Sequence, residues 1–316
     1  MKNKKIIYYW ASNISNNNGE GILGDNFLKL MKINFKNYKF VSLNRFKYIN
    51  QNTFFYKYII TIWAGLLLWK YYIFGKKVSY INFLPAWNFI LILILPPGTI
   101  LGPVTGSYNR SKYNFAIKIL TLIGLKILNM RSKKILFSHN FFSKYLKKDK
   151  KYFYNFLLYN FKIKNFSSKK KYDYIFYVKK HHNKMNSFLI KLIIKLSKNY
   201  KVCVIGEKII SKKNIFNMGF VSRAKTLKLI NLSKAAVTSP ENLYSYFLLD
   251  CISCKLIVFF NKNYTSNKYL KTELLRPIDF HNYSKSIKII ESMNSKKINK
   301  KIFFRSYKFD DYLIDL

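Results

Sequence analysis

The residues best suited to chemistry lie in one short stretch, from Ser239 to Asp250. It begins Ser239-Pro240-Glu241-Asn242 directly after an apolar run, and Asp250 follows inside a predicted helix. The whole chain has only 13 acidic residues among 316, so chance rarely supplies two carboxylates this close together. A carboxylate can accept hydrogen bonds from two hydroxyl groups. For Glu241, a cap or dipole partner at the start of the helix is the alternative.

Two lysines come directly after an earlier apolar run. The segment Tyr177-Val178-Lys179-Lys180-His181-His182-Asn183-Lys184 places Lys179 and Lys184 at the exit of a predicted strand. Two cations there can neutralise a diphosphate and stabilise it as it leaves. Lys carries a point charge rather than the fork of Arg, so it orients a phosphate less strictly. In a chain this rich in Lys, a solvated loop is the alternative.

One glycine in the second half marks a place where backbone could approach a ligand closely. Gly219 stands in Asn217-Met218-Gly219-Phe220-Val221-Ser222, just before a predicted helix. The absence of a side chain at Gly219 lets a flat ligand ring approach the backbone. A simple turn is the alternative.

The first half contains two further glycine-containing segments. Backbone N–H groups at the start of a helix can hold an anion, and Gly19, Gly21 and Gly24 lie in a predicted loop just before one. Gly102 and Gly106 lie in Gly102-Pro103-Val104-Thr105-Gly106-Ser107, where glycine lets the backbone approach a substrate. A tight turn after a strand is the alternative for this second segment.

The chain is strongly basic, with a formal net charge of +44. Only six of its 57 basic residues are Arg, whereas proteins that read nucleic acids rely on Arg for bidentate and stacked contacts. Asn, Ile, Phe and Tyr are abundant, as in proteins encoded by A/T-rich genes. We therefore expect no specific nucleic-acid partner. Codon bias alone can explain the excess of lysine. The alternative is that the same lysines also bind the protein to an anionic membrane surface.

No residue pattern indicates a metal site, a disulfide framework or a membrane span. Cys203, Cys251 and Cys254 suit a reducing compartment, and the Cys251-x-x-Cys254 pair lacks the partners of a zinc site. The longest apolar stretch, residues 58–69, is shorter than the roughly 20 residues of a spanning helix. The apolar run of residues 6–11 is too short for a signal peptide. We expect a cytoplasmic protein without a metal or other cofactor.

Short apolar strands alternate with helices along the chain, which predicts an α/β protein with parallel sheets covered on both faces. Predicted strands cover residues 4–10, 39–43, 58–63, 78–83, 99–104, 134–138, 174–178, 202–206, 216–221, 235–239 and 256–260. Predicted helices cover a segment around 27–31 and residues 64–74, 115–130, 186–198, 224–233, 244–254 and 309–316.

The alternation restarts after a segment rich in Lys, Tyr and Asn, which predicts two domains. The first covers residues 1–165 and the second residues 172–290, with a linker near 164–172. Residues 291–316 are predicted to form a tail or helix that packs back on the first domain. Ligands bind beyond the carboxyl ends of parallel strands, so the expected site is the cleft between the two domains.

Three motifs of the second half resemble, in order and spacing, those of retaining GT-B glycosyltransferases, the group 1 or family 4-like class. The resemblance covers roughly residues 172–260. Lys179 and Lys184 stand where that class has an Arg and a Lys, and Gly219 lies in a segment, Asn217 to Ser222, similar to the one that borders its nucleotide base. Ser239 to Asp250 resembles its acidic segment, in which two Glu residues lie eight positions apart. In that class the first Glu contacts the donor sugar, and the second, matched here by Asp250, takes the ribose hydroxyls.

The chain also departs from the family pattern at these motifs. Val178 replaces a Gly, Lys179 replaces the Arg, and Asp250 replaces the second Glu. Glu241 lies nine residues before Asp250, and Asn242 occupies the eight-residue position. The acidic pair is therefore present but out of register by one residue.

The resemblance implies two Rossmann-like domains facing across a cleft and transfer of a sugar from a nucleotide sugar to a surface glycan or lipid-linked acceptor. It implies that the catalytic residues are Glu241, Lys184 and Lys179. The donor site would comprise Lys179, Lys184, Gly219, Phe220, Val221, Glu241, Asn242 and Asp250. The acceptor and phosphate loops would comprise Gly19, Gly21, Gly24, Gly102 and Gly106. No metal and no enzymic base would be required, and the protein would work peripherally on the inner face of the cytoplasmic membrane.

Two other functions remain as alternatives. Gly24-Asp25-Asn26 also resembles the first loop of polysaccharide pyruvyltransferases, which predicts a different group transferase on a similar scaffold. A non-enzymatic protein that binds polyanions or membranes is the second alternative.

Overall fold

The computed structural model describes residues 6–10, 19–35, 38–42, 60–81, 84–105, 115–137, 151–154, 159, 169–179, 186–239, 245–262, 270–292 and 301–304. The chain divides into two compact units, Met1–Tyr159 with Tyr307–Leu316 and Asn160–Ser306. Within the described part, no helix is long and apolar enough to cross a membrane.

The first unit is built from parallel strands and four described helices. Its strands are β1 (Ile6–Trp10), β2 (Tyr38–Ser42), β3 (Lys77–Tyr80), β4 (Leu84–Pro85), β5 (Ile100–Leu101), β6 (Val104–Thr105), β7 (Lys134–Phe137) and β8 (Lys151–Tyr154). Its helices are α1 (Gly19–Asn34), α2 (Ile60–Ile73), α3 (Phe89–Ile94) and α4 (Phe115–Arg131). The strands form two four-stranded sheets, ordered β2-β1-β3-β5 and β4-β6-β7-β8.

The chain passes from one sheet to the other at Gly102 and Pro103. Gly102 N–H donates to the carbonyl of Tyr80 at 2.8 Å, which anchors this crossing to the end of β3. Pro103 has no N–H group and cannot extend a ladder, so β5 ends before it and β6 begins after it. The single strand predicted for residues 99–104 is therefore two short strands in different sheets.

Helix α4 lies unusually close to the turn that follows β4. A Cβ atom added at Gly124 would lie 1.8 Å from the carbonyl oxygen of Ala86. Both residues are buried. Only glycine fits at this position of the helix, because any side chain would overlap the backbone of the turn.

The second unit contains one parallel six-stranded sheet and a two-stranded antiparallel ribbon. Its strands are β9 (Tyr172–Val178), β10 (Val202–Gly206), β11 (Ile215–Gly219), β12 (Ser233–Val237), β13 (Ile257–Asn261), β14 (Leu270–Thr272), β15 (Leu275–Ile278) and β16 (Ile302–Phe304). Its helices are α5 (Asn186–Leu196), α6 (Arg223–Asn231), α7 (Tyr246–Ser253) and α8 (Tyr283–Ser292). The sheet order is β11-β10-β9-β12-β13-β15, and β14 pairs with β16.

One apolar cluster of the second unit lies between this sheet and helices α5 and α8. Alternate residues of β9, namely Tyr174, Phe176 and Val178, are buried in the same apolar cluster as Leu192 of α5 and Ile290 of α8. Side chains two positions apart on a strand point to the same face of the sheet. This face of β9 therefore packs against helices α5 and α8. The apolar run that predicted the strand is thus explained by burial.

Several sequence expectations are wrong in their element boundaries. Residues Ile60–Trp63, predicted as a strand, form the first turn of α2. Gly19, Gly21 and Gly24, predicted to lie in a loop, lie inside α1, which already begins at Gly19. A continuous apolar run does not distinguish a buried strand from a helix, and glycine disfavours but does not forbid a helix start.

Some elements have no counterpart in the sequence expectations. These are β4, α3, β8, β14, β15, α8 and β16. The unit boundary at Tyr159 and Asn160 precedes the linker expected near 164–172. Of the predicted tail, residues 291–316, the described strand β16 pairs with β14 of the second unit, and the helix predicted at 309–316 lies outside the described residues.

Candidate functional site

The strand order of the second unit creates a point where the winding direction reverses. From β9 the chain moves outward through β10 to β11, and it then returns to β12 and moves outward on the other side through β13 to β15. β9 and β12 are parallel neighbours, with Phe176 opposite Val237. Ligands of such sheets bind beyond the carboxyl ends of the strands at this switch point. The residues that follow these strands therefore form the candidate site.

Two predicted positions flank the switch point. Lys179 directly follows β9 and its side chain is exposed, whereas Val178 before it is buried. Ser239 follows β12 by two residues and is half-buried. Thr238, which lies between the end of β12 and Ser239, donates its N–H to the carbonyl of Phe259 at 3.0 Å. This hydrogen bond ties the end of β12 to β13. A cation and a hydroxyl therefore stand at the ends of adjacent strands.

The end of β10 is fastened to the end of β9 through Gly206. Gly206 has a φ of +93°, and a Cβ there would lie 2.1 Å from the carbonyl oxygen of Val178. The next residue, Glu207, donates its N–H to the same carbonyl at 2.8 Å. Only glycine satisfies both the left-handed backbone and the close approach. Gly206 is thus a structural determinant of this edge that motif comparison missed.

An aromatic pair joins the end of β9 to helix α7. Tyr177 stacks on Phe247 of α7, with ring centroids 5.7 Å apart and planes inclined by 29°. Burial, and to a lesser extent the charge of Glu207, raise the pKa of the Tyr177 phenol above its ordinary value. The phenol therefore stays protonated at neutral pH and can donate a hydrogen bond.

The end of β11 presents an exposed aromatic ring beside a helix start. Gly219 adopts a φ of +67°, and the following Phe220 is 70% exposed. Ser222 caps α6 by accepting a hydrogen bond from Lys225 N–H at 3.3 Å. The amide of Asn217 bonds both N–H and carbonyl of Ile209, each at 3.2 Å, and so fixes the preceding loop. This arrangement suits the stacking of a flat ring on Phe220.

Asp250 has a partner that its motif does not reveal. Its two carboxylate oxygens accept hydrogen bonds from Arg223, at 2.9 Å from Nη2 and 3.3 Å from Nε. The Asp250 side chain is only 3% exposed, and the Arg223 guanidinium lies 5.4 Å from the ring centre of Tyr246. In this arrangement the carboxylate holds Arg223 and joins α6 to α7, and it is not exposed to a ribose. The rarity of Arg in this Lys-rich chain was the available signal for Arg223.

Several predicted site residues cannot be placed in this arrangement. Lys184, Glu241, Asn242 and Gly106 lie outside the described residues. The donor-sugar and catalytic roles predicted for Glu241 and Lys184 therefore stay predictions. Ser245, which caps α7 by accepting from Leu248 N–H at 3.2 Å, is the first described residue after Glu241 and Asn242.

The glycines of the first unit differ in what they can offer a ligand. Gly19 and Gly21 lie in the first turn of α1, whose N–H groups lack partners within the helix. Gly24 lies beyond that turn, where the helix uses its N–H, so its expected loop role is wrong. Gly102 is buried and donates its N–H to Tyr80, so that group is not available to an acceptor.

No group of three or more His, Cys, Asp or Glu side chains that could hold a metal ion occurs among the described residues. The three cysteines are buried free thiols.

Comparison with known proteins identifies the fold. The sequence matches no family model and no curated protein. The structure is similar to the UDP-GlcNAc 2-epimerase of Methanocaldococcus jannaschii in complex with UDP-GlcNAc and UDP, with 12% identity, a TM-score of 0.56 and 98% of each chain covered. It is also similar to S. aureus MnaA in a co-structure with UDP, with 10% identity, a TM-score of 0.55, and 93% of this chain and 88% of that chain covered.

A third similar structure is an alpha-glucosyltransferase in complex with UDP and a 13-mer DNA containing an HMU base. It is 10% identical, has a TM-score of 0.50, and the match covers 93% of this chain and 91% of that chain. Similarity at this level of identity defines the fold. Together with the parallel α/β sheets of both units, it confirms the predicted fold class: the chain has the GT-B fold.

Proposed function

We propose that this protein is a glycosyltransferase that takes a sugar from a nucleotide sugar and transfers it to a surface glycan or a lipid-linked acceptor. The observation that carries the proposal is the carboxyl edge of the second-unit sheet. There, exposed Lys179, exposed Phe220 and the capped start of α6 occur at the ends of strands in a GT-B fold. These are the features that a diphosphate and a nucleotide base require.

In the proposed donor complex, Lys179 and Lys184 neutralise the diphosphate and stabilise it as it leaves. Phe220 and the backbone of Gly219 and Val221 border the base. Glu241, or Asn242 in its place, holds the donor sugar. Catalysis then rests on positioning and on charge stabilisation, with no metal ion.

We assign Asp250 an indirect role in this scheme. Because it is paired with Arg223 and nearly buried, it orients the starts of α6 and α7 rather than binding the ribose itself. The ribose hydroxyls are then left to other residues between β12 and α7. This differs from the direct contact that the family resemblance implies.

A nucleotide-sugar epimerase is the second candidate, because the archaeal protein of the same fold is named as one. The pyruvyltransferase alternative loses support. Asp25, whose Gly-Asp loop suggested it, lies within α1 and forms an i,i+4 ion pair with Lys29 at 2.6 Å.

The experiment that separates these functions follows the fate of the nucleotide sugar. The full-length protein is incubated with a panel of UDP- and GDP-sugars, with and without glycan and polyprenyl-phosphate-linked acceptors, and the products are resolved by NMR. A transferase releases nucleoside diphosphate only when an acceptor is present. An epimerase converts the nucleotide sugar without an acceptor, and no change under any condition would contradict both candidates.

A further inference from the structure

Three neighbouring helices of the first unit form one fixed layer. α3 packs against both α2 and α4. The Trp69 indole of α2 donates to the carbonyl of Ile94, and Arg131 of α4 donates to the carbonyls of Ile92 and Leu95 at 2.7 and 2.6 Å. These bonds satisfy the last carbonyls of α3 and hold the three helices together.

The solvent-facing side of this layer carries large apolar side chains on every helix. In a surface helix of a soluble protein the exposed face is usually polar, and exposed apolar residues occur singly. Here each of the three helices carries large apolar residues that are about half exposed: Trp63 46%, Leu66 53%, Ile90 48%, Leu93 49%, Ile119 41% and Leu122 39%. An exposed apolar face shared by neighbouring helices marks a surface that binds something.

The charges on this layer have a single sign. Exposed Lys70 lies on α2, and exposed Lys118 and Lys126 lie on α4. No Asp or Glu occurs in the sequence between Asp25 and Asp149, whereas the same stretch carries 20 Lys and Arg residues. Any partner of this face must therefore accept apolar side chains and offer negative charge close to them.

We propose that the exposed face of α2, α3 and α4 docks on the surface of a bilayer that contains anionic phospholipids. The acyl boundary of a bilayer accepts Trp, Leu and Ile side chains, and anionic headgroups attract neighbouring lysines. A second copy of this chain fits the face poorly, because two such faces would bring lysines against lysines without a carboxylate between them. Docking is interfacial, since no described helix is long enough to span the bilayer.

This inference refines the place of the proposed reaction, because a lipid-linked acceptor is presented at a membrane surface. Only this link to the reaction rests on the proposed function. The test of membrane docking uses neither a nucleotide-sugar donor nor a glycan acceptor. Failure of donor binding and failure of membrane docking are therefore separate results.

The test is flotation of the full-length protein with vesicles of phosphatidylcholine alone or mixed equally with phosphatidylglycerol. We expect the protein to float with the anionic vesicles. The combined variant Trp63→Ser, Leu93→Ser and Leu122→Ser, with one change on each helix, should partition at least about tenfold less. The control is Ile33→Ser with Ile210→Ser, which removes apolar side chains that are exposed elsewhere.

A second pair of variants tests the charge. Lys118→Gln with Lys126→Gln should weaken binding to anionic vesicles about tenfold, whereas the same change at exposed Lys191 and Lys195 of α5 should not. Circular dichroism and thermal midpoints verify that each variant folds. Equal flotation of the apolar variant and its control overturns the proposal, as does wild-type protein that ignores anionic vesicles. Self-association lost in the apolar variant would instead assign the face to a second copy.

Discussion

The ion pair between Arg223 and Asp250 determines how the strongest sequence motif is understood. The family resemblance implies that Asp250 binds the ribose, yet both of its carboxylate oxygens accept hydrogen bonds from Arg223. The guanidinium in turn lies over Tyr246, so three side chains fix the start of α6 against the start of α7. A residue that resembles a binding group can thus serve the site by positioning the helices that border it.

A double-mutant cycle on stability tests this role. Asp250→Asn should cost about 2 kcal/mol, because it leaves Arg223 without its buried partner, and the double variant with Arg223→Gln should cost less than the sum of the two single changes. Chemical unfolding of the four proteins measures the coupling. The exposed pair Lys29 and Asp25 is the control, with an expected coupling below about 0.5 kcal/mol. Additive costs at Arg223 and Asp250 would contradict the anchoring role.

A pH dependence is expected from the buried thiol of Cys203. Burial raises its pKa from 9.0 to about 12, and nearby Lys171 opposes this only in part. Above pH 9 the unfolded chain loses this proton while the folded chain keeps it, so stability falls as pH rises from about 9 to 12, by up to about 4 kcal/mol. Unfolding free energies across this range, compared with those of Cys203→Ala, measure the contribution. Parallel curves for the two proteins would contradict it.

At the scale of elements, the candidate site depends on how the ends of β9, β10 and β11 are held. Gly206 lets the chain turn against the carbonyl of Val178, and Gly219 turns the chain toward the capped helix α6. Neither turn is stabilised by apolar burial alone. Their geometry is a property of glycine at a positive φ, so the edge should be sensitive to single backbone changes.

Two glycine substitutions separate strain from steric overlap. Gly206→Ala places a Cβ 2.1 Å from the carbonyl oxygen of Val178 at a φ of +93°, and should cost about 3 kcal/mol or more. Gly98→Ala has a similar positive φ of +70° but meets nothing within 4 Å, and should cost only about 1 kcal/mol. Urea unfolding of both variants measures the difference. Equal costs would show that close packing at Gly206 is not what selects glycine.

The sequence predicted the second unit better than the first, for a physical reason. Strands such as Tyr172–Val178 are short apolar runs bounded by lysines, and α5 follows with clear helical periodicity, so local signals agree with the fold. Ile60–Trp63 lies in a nearly continuous apolar run that shows neither the helical nor the strand period, so the prediction of a strand there is wrong. Short strands such as β14 and β16 depend on pairing partners far along the chain, which local patterns do not contain.

The candidate site was predictable only where a motif stood next to a strand. Lys179 directly follows β9 and Gly219 is the last residue of β11, so both stand where a strand ends. The pairing of Arg223 with Asp250 joins residues 27 positions apart on two helices, and only the tertiary structure brings them together. The same holds for Gly206, whose requirement comes from the carbonyl of a neighbouring strand.

At the scale of the whole molecule, the net charge of +44 must attract polyanions in general. Lysine-based attraction to nucleic acid is electrostatic and carries no sequence information. We therefore expect DNA affinity to fall steeply with salt and to be equal for unrelated duplexes. Fluorescence anisotropy with two duplexes of equal length, across a salt series, measures both properties. A preference for one sequence that persists at high salt would contradict the expectation that nucleic acid is not a specific partner.

The central claim is that the carboxyl edge of the second-unit sheet binds a nucleotide sugar. Isothermal titration calorimetry of the full-length protein with a panel of UDP- and GDP-sugars tests it most directly. At least one nucleotide sugar should bind, and Lys179→Ala should weaken that binding about tenfold through loss of a charge-assisted contact with the diphosphate. Lys195→Ala, which removes an exposed lysine from α5, should leave it unchanged. Absence of binding to every member of the panel, or equal binding by the two variants, would contradict the claim.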